Sequence, residues 1–296
     1  MTAPELKAQE LLDTLDIDSL PVRPREICSR LNVSYHEHPF DGFDGLLIVG
    51  GNSSVIGVNS NIETAGRKAY TAAHELGHLC LHAKVAERFE CNSDDLTSIS
   101  KLDMEIEANA FAAELMMPKP LVAPIIRSDV LTWDAVKSLA LHCDTSLTAA
   151  AIRFVNLTEV PCAVVIAQNG VIKFYRASNE FQYRVDMDSR LLAKNSAAHT
   201  SHSGKIPQND FAPIHPSNWL TGKFTTDSEL LEWSLPKNRY GQVLTLLLDE
   251  GDVCFAKDGR NLGSRTSFSD EDEEDGLGVD KFMAEVNPFK RGKRRR

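Results

Sequence analysis

Apolar side chains recur at helical spacing from about Pro4 to Leu15, and again behind a proline start from Pro24 to Leu31. The texture then shortens. GLLIV (Gly45 to Val49) and VIGVN (Val55 to Asn59) are aliphatic, β-branched-rich runs around the Gly/Asn/Ser loop Gly50 to Ser54, which predicts a hairpin. A mostly apolar helix is expected from roughly Thr64 to Ala83. After a polar loop, a second runs from about Lys101 to Met117, where Pro118 and Pro120 stop it. Residues 119 to 157 read as three short helices, with Thr132 and either Thr145 or Ser146 as N-caps.

Beyond Pro161 the pattern changes to strands. CAVVIA and VIKFY flank Gln168-Asn169-Gly170, and Asn-Gly between two such runs is a strong hairpin signal. A further strand, QVLTLLLDE, starts at Gln242. The chain is therefore expected to be α+β, with a boundary near residue 158. From about Ser264 the composition shifts once more: Asp270 to Asp275 is unbroken acid, and the chain ends FKRGKRRR, blocks that are usually solvated.

With 296 residues the chain is long enough for two domains, and 42% hydrophobic with 25% charged residues fits the soluble globular class. It has no apolar run of membrane-spanning length, and its acidic, helix-like start does not read as a signal peptide, so no membrane partner is expected. Cys28, Cys80, Cys91, Cys143, Cys162 and Cys254 form no CxxC pair, and read as free thiols in a reducing, cytoplasmic setting. The net charge of −10 argues against a protein that coats nucleic acid.

The segment that carries chemistry is Ala72-Ala73-His74-Glu75-Leu76-Gly77-His78-Leu79. Histidines four apart stand on one helix face, so both rings reach a single ion, and the glutamate between them can touch a metal-bound water. The surrounding helix is nearly all apolar, and buried polar groups need partners, which a metal supplies. A third ligand on the same stretch is ruled out, because Leu81 and Lys84 stand where HExxHxxGxxH needs Gly and His. A carboxylate from the next helix remains, and Glu105, Glu107 and Glu114 are available. Glu107, flanked by Ile106, Ala108, Ala110 and Phe111, is the expected ligand, since a lone carboxylate there would be costly. Glu105 lies nearer the polar loop and is expected to be solvated. Glu114 reads either as a supporting carboxylate or as a helix-end charge. His82 drifts off the His74/His78 face.

AAHELGHLCLH, followed by EIEANAFAAELMMP, resembles the ImmA/IrrE metallo-endopeptidases, as do the glycine-bounded hairpin, Arg67 and the proline stop. The likeness is good over about residues 20 to 120 and looser beyond. It implies a zincin-like peptidase domain over 1–118 and a helix-turn-helix-like segment over 119–157. It further implies a strand-rich, GAF- or PAS-like sensor or interaction domain over 158–262, with a charged tail over 263–296 outside the family's layout. It makes His74, His78 and Glu107 the ligands of Zn2+ (manganese or another divalent ion would also fit) and Glu75 the catalytic base. It implies an enzyme that cleaves a helix-turn-helix repressor, derepressing mobile-element or stress-response genes.

The rival is a non-catalytic, zinc-stabilised regulator that sequesters a repressor, but Glu75 favours the enzyme, since a structural site needs no base. Tyr70 and His82 stay open as oxyanion donors. VIGVN is a candidate edge for an extended substrate. Direct DNA binding is not expected, because Asp134, Lys137, Asp144 and Arg153 cancel across the helical segment; the terminal KRGKRRR is the better candidate for nucleic acid. The strand-rich part is a candidate for a small-molecule signal or a homodimer contact.

Overall fold

The computed structural model of the protein describes residues 1–50, 53–84, 88–91, 99–126 and 131–256. They fall into two compact units, with the division between Arg153 and Phe154. The acidic-then-basic tail lies outside the described residues. The expected α+β class is borne out, with a helix-rich region and a separate strand-rich sheet. Among the described residues no helix is long and apolar enough to cross a membrane.

In the first unit the order is α1 (Ala3–Thr14), α2 (Pro24–Arg30), β1 (Val33–His38), β2 (Gly45–Val49), β3 (Ser54–Asn59), α3 (Ala65–His82), β4 (Arg88–Cys91), α4 (Ile99–Met116), α5 (Lys119–Val122) and α6 (Trp133–His142). The division between the units falls inside α7 (Leu147–Leu157). Side-chain caps set the helix starts: the Thr64 hydroxyl accepts the Arg67 N–H, Thr132 that of Ala135, and Ser146 that of Ala149. Between the two candidates for the α7 cap, the structure selects Ser146.

The sheet runs β1-β3-β2-β4. The expected hairpin is β2 with β3, antiparallel from Gly45 opposite Val58 to Val49 opposite Ser54. β3 also pairs in parallel with β1, which makes VIGVN an interior strand and removes it as a docking edge. β1 escapes the sequence pattern because VSYHEH has no buried alternation: only Val33 is fully buried. α3 packs against β2 and β3 on one side and α4 on another. Around it Leu47, Ile56, Val58, Leu76, Phe111 and Leu115 form a fully buried core. A Cβ on Gly77 would stand 3.1 Å from both Cα and O of Ala108, so α3 and α4 approach closely where these two small residues meet.

The end of α4 is tied by a buried ion pair. Arg153 donates to Glu114 and to the Met117 carbonyl (3.0 Å), and the second Glu114 oxygen accepts the Lys119 N–H at 2.9 Å. Glu114 is thus a charge at the helix end held in a buried ion pair, not a support for the histidines.

In the second unit β5 (Cys162–Gln168), β6 (Val171–Ala177), β7 (Ala212–Ile214), β8 (Leu230–Ser234) and β9 (Gln242–Leu248) build an antiparallel sheet ordered β6-β5-β9-β8-β7, with α8 (Ala197–His202) between β6 and β7 in the chain. Asn169 (φ 53°) and Gly170 (φ 82°) supply the left-handed turn that Asn-Gly promises between β5 and β6. Ala163, Val165, Phe181, Val185, Trp219 and Leu247 share its core. Inside it, Glu232 accepts the Ala197 N–H (2.7 Å) and the Trp219 indole N–H (2.9 Å), while burial raises its carboxyl pKa. Cys28, Cys80, Cys143, Cys162 and Cys254 are free thiols. Burial pushes Cys28 and Cys162 up to about 12, which leaves them unreactive near neutrality.

Removing one partner of a buried ion pair strands the other charge. Arg153→Leu should therefore cost about 3–5 kcal/mol, and the double variant Arg153→Leu/Glu114→Leu should recover much of the loss. Urea unfolding of the single and double variants measures both.

Candidate metal centre

α3 is buried from Thr71 through His78 and again at His82, so its polar residues must find partners inside the fold. The four-residue spacing puts His74 and His78 one turn apart, with their Nε2 atoms 3.1 Å from each other. From α4, Glu105 brings Oε2 to 3.0 Å from His74 Nε2 and Oε1 to 3.3 Å from His78 Nε2. One ligand atom from each residue lies within 4.8 Å of the others. Two nitrogens bound tetrahedrally at zinc distances lie about 3.3 Å apart, so this cluster has the spacing and donor set for one divalent ion.

The far sides of the rings are also held. His74 Nδ1 lies 2.8 Å from Asn109 Oδ1, which also accepts the Tyr70 hydroxyl at 2.8 Å. An amide oxygen only accepts, so the His74 proton sits on Nδ1 and the Nε2 lone pair faces the cluster. His78 Nδ1 meets His82 Nδ1 at 3.1 Å, and His82 Nε2 meets Glu107 Oε2 at 2.8 Å. His82 therefore meets His78 on the Nδ1 side of that ring, not at Nε2. The Tyr70 hydroxyl is engaged on Asn109.

Electrostatics favour ligation. Burial pushes the His78 imidazole down to about 4 despite the neighbouring Glu105, so the ring is neutral at pH 7. Burial alone would raise the Glu105 carboxyl, but contacts from His74 and His78 outweigh it and hold it well below the usual carboxylate range. A neutral His78 and an ionised Glu105 are the forms that bind a metal.

The expected place of Glu107 needs correction. The structure puts Glu105, not Glu107, against His74 and His78; Glu107 is half exposed and rests on His82. The cause is the reach of α4, which already starts at Ile99, so Glu105 sits within the helix rather than beside a loop. The contact of Gly77 with Ala108 then lays the turn before Ala108, which carries Glu105, over His78. That pair of small residues is the legible signal. Flanking hydrophobicity, which points to Glu107, is not.

Glu75 is fully buried. Its carboxylate lies directly against Gly45: a Cβ there would collide with Oε1 and stand 2.7 Å from Thr71 Cγ2. Any other residue at the start of β2 would displace the glutamate. The neighbouring Asp44 is clamped to Arg67 at 2.8 Å, which fixes the start of β2 to the first turns of α3. In the sequence Gly45 shows only as the rim of a hairpin.

HExxH histidines joined by a carboxylate from a following helix form the ligand arrangement of the zinc-metallopeptidase class. Residues 28–152, which contain the whole cluster, match the family model described as Peptidase_M78, the IrrE N-terminal-like domain. The resemblance carried by HELGH and EANAFAAELMMP is borne out over those residues. "Uncharacterized immunity region protein 2" of Bacillus phage phi105 is 32% identical over 106 residues, covering 34% of this chain. The chain spans 61% of that relative's length. A solved structure titled "Mycobacterium tuberculosis transcriptional regulator" superposes with a TM-score of 0.52 over 84% of this chain and 77% of its own. At 11% identity, that likeness speaks for the fold alone.

The depressed His78 sets a direction for pH. Between about 4 and the ordinary 6.5 the unfolded ring binds a proton that the folded ring refuses. The metal-free protein should hold its full stability above about 6.5 and lose it progressively as pH falls towards about 4. Glu105, also depressed in the fold, adds loss of the same sign below its ordinary 4.5. Thermal unfolding in chelator at stepped pH reads this, and a flat profile from 7 to 4 would contradict it.

Proposed function

We propose that this chain is a cytoplasmic metallo-endopeptidase that cuts a helix-turn-helix repressor and so derepresses stress-response or mobile-element genes. The observation that carries the reading is the placement of Glu75: a buried carboxylate between the two histidines of a His-His-Glu cluster, with a glycine kept opposite it. A structural site has no use for that group. The metal ligands are His74, His78 and Glu105, and the ion is zinc, with manganese the alternative. When bound, the ion supplies Lewis acidity, polarising the scissile carbonyl and lowering the pKa of water towards about 7.

The residues of the chain do the rest. Glu75 accepts a proton from the attacking water at a carboxylate oxygen and hands it to the leaving amine nitrogen. Asn109 holds His74 with its Nε2 lone pair inward. Gly45 leaves Glu75 the room to sit where it does, and the Arg67–Asp44 pair keeps Gly45 there.

A regulatory substrate is supported by the immunity-region title of the phage relative. The charge balance of α6 and α7 supports contact with a protein rather than with DNA. The five-stranded unit is the candidate for receiving the activating signal.

Wild type, Glu75→Gln and Glu105→Ala are to be co-expressed with a helix-turn-helix repressor encoded beside the gene, with cleavage read by mass spectrometry and metal content on each purified form. Wild type should cut. Glu75→Gln should keep its metal and lose about 10²–10⁴-fold in turnover, as loss of a general base does. Glu105→Ala should lose the metal. Stoichiometric metal with no repressor cleaved would turn the reading to the sequestering regulator. Gly45→Ala should cost about 10²-fold in turnover with metal content unchanged, since it misplaces Glu75 and no ligand; unchanged turnover would remove Gly45 from the site.

A further inference from the structure

We infer that Glu107 and His82 form a positioning relay that fixes the tautomer of His78, so that this ring presents Nε2 to the metal; the inference rests on the metal centre proposed above. His78 and His82 bring their two Nδ1 atoms to 3.1 Å. Two ring nitrogens at that distance must share one proton, since two lone pairs or two N–H groups facing each other repel. With both rings neutral, two arrangements satisfy the contact. In one the proton is on His78 Nδ1, which leaves its Nε2 lone pair available to ligate. In the other it is on His82 Nδ1, which puts the His78 proton on Nε2, in the position a metal needs.

Glu107 decides between them. Its carboxylate accepts only, and at 2.8 Å from His82 Nε2 it holds the His82 proton on that nitrogen. His82 Nδ1 then carries no proton, accepts from His78 Nδ1–H, and the His78 lone pair points at His74 Nε2 and Glu105. His74 gets the same constraint directly, from the neutral oxygen of Asn109. His78 gets it from a carboxylate two contacts away.

Burial fits the direction of the relay. His78 and His82 are 0% and 5% exposed at the side chain, and Glu107 is 49% exposed. The charge that sets the tautomer therefore stays partly hydrated and costs the fold little, while its effect is delivered through two buried rings. Outer partners of this kind typically contribute about 10- to 100-fold in metal affinity. The relay also gives Glu107 a reason to be acidic that does not require it to touch the ion.

Zinc dissociation constants are to be measured on the full chain by competition with a chromophoric chelator, for wild type, Glu107→Ala, His82→Phe and the double variant. Thermal unfolding of each metal-free form accompanies the titration. Each single variant should bind zinc about 10- to 100-fold more weakly, with the metal-free unfolding midpoint of Glu107→Ala unchanged. Because Glu107 acts only through His82, the double variant should be no weaker than His82→Phe alone. Glu107→Ala within twofold of wild type, or a double variant weaker by the product of the singles, would overturn the relay. Glu107 is half exposed, so its variant stays informative even if His82→Phe disturbs packing. A wild type that takes up no zinc at all would instead overturn the metal centre and the relay with it.

Discussion

A buried helix that carries three histidines and a glutamate is costly to a fold unless its polar groups are met. Burying an amide-like or imidazole group without a partner costs several kcal/mol, of the order of a domain's whole stability margin. α3 takes on that cost from Thr71 to His78 and again at His82, and the surrounding elements are placed against it. Answering it depends on the distance between α3 and α4, set where Gly77 meets Ala108. Were α4 to stand off by the width of a side chain, Asn109 would lose His74 and Glu105 would lose both rings. The single glycine of HELGH is thus a ruler for the site rather than a flexible point.

The same constraint explains why the cluster is poised for a cation. With His74 and His78 protonated on their Nδ1 sides, two nitrogen lone pairs and an ionised carboxylate converge at 3.0 to 3.3 Å. Three acceptors at that range repel each other unless something positive sits among them, a proton or a metal. The low pKa of His78 disfavours the proton. Metal uptake and the fold are linked for that reason, and a site with this electrostatic demand binds more tightly as pH rises out of the acid range.

Much of this is legible in the sequence, and the boundary of legibility has a physical meaning. His74, Glu75 and His78 are readable because helical spacing alone brings them together. The β5–β6 hairpin is readable because Asn169-Gly170 encodes its turn locally, and the N-caps Thr132 and Ser146 because a hydroxyl reaches three residues along. β1, β7 and β8 are not: β1 is an edge strand with no buried alternation, and β7 is only three residues long. Gly45 looks like turn punctuation, yet the reason for it is a carboxylate about thirty positions away. Each failure involves an interaction between elements, which local pattern does not encode.

The three glutamates of α4 make the point most sharply. Glu105, Glu107 and Glu114 share one helix and similar apolar flanks, so flanking residues have no power to rank them. What separates them is what each meets. Glu105 meets two imidazoles at 3.0 and 3.3 Å, on the side where their Nε2 atoms converge. Glu114 meets a guanidinium inside the core and needs it, since a buried charge without its partner is among the costliest things a fold can hold. Glu107 meets His82 from a half-exposed position, where water carries part of its solvation. The glutamate that looks most isolated in the sequence is the one of the three whose charge the fold leaves nearest to solvent. Apolar neighbours in sequence say that a helix is packed, and only the partner helix says which of its acids faces the packing.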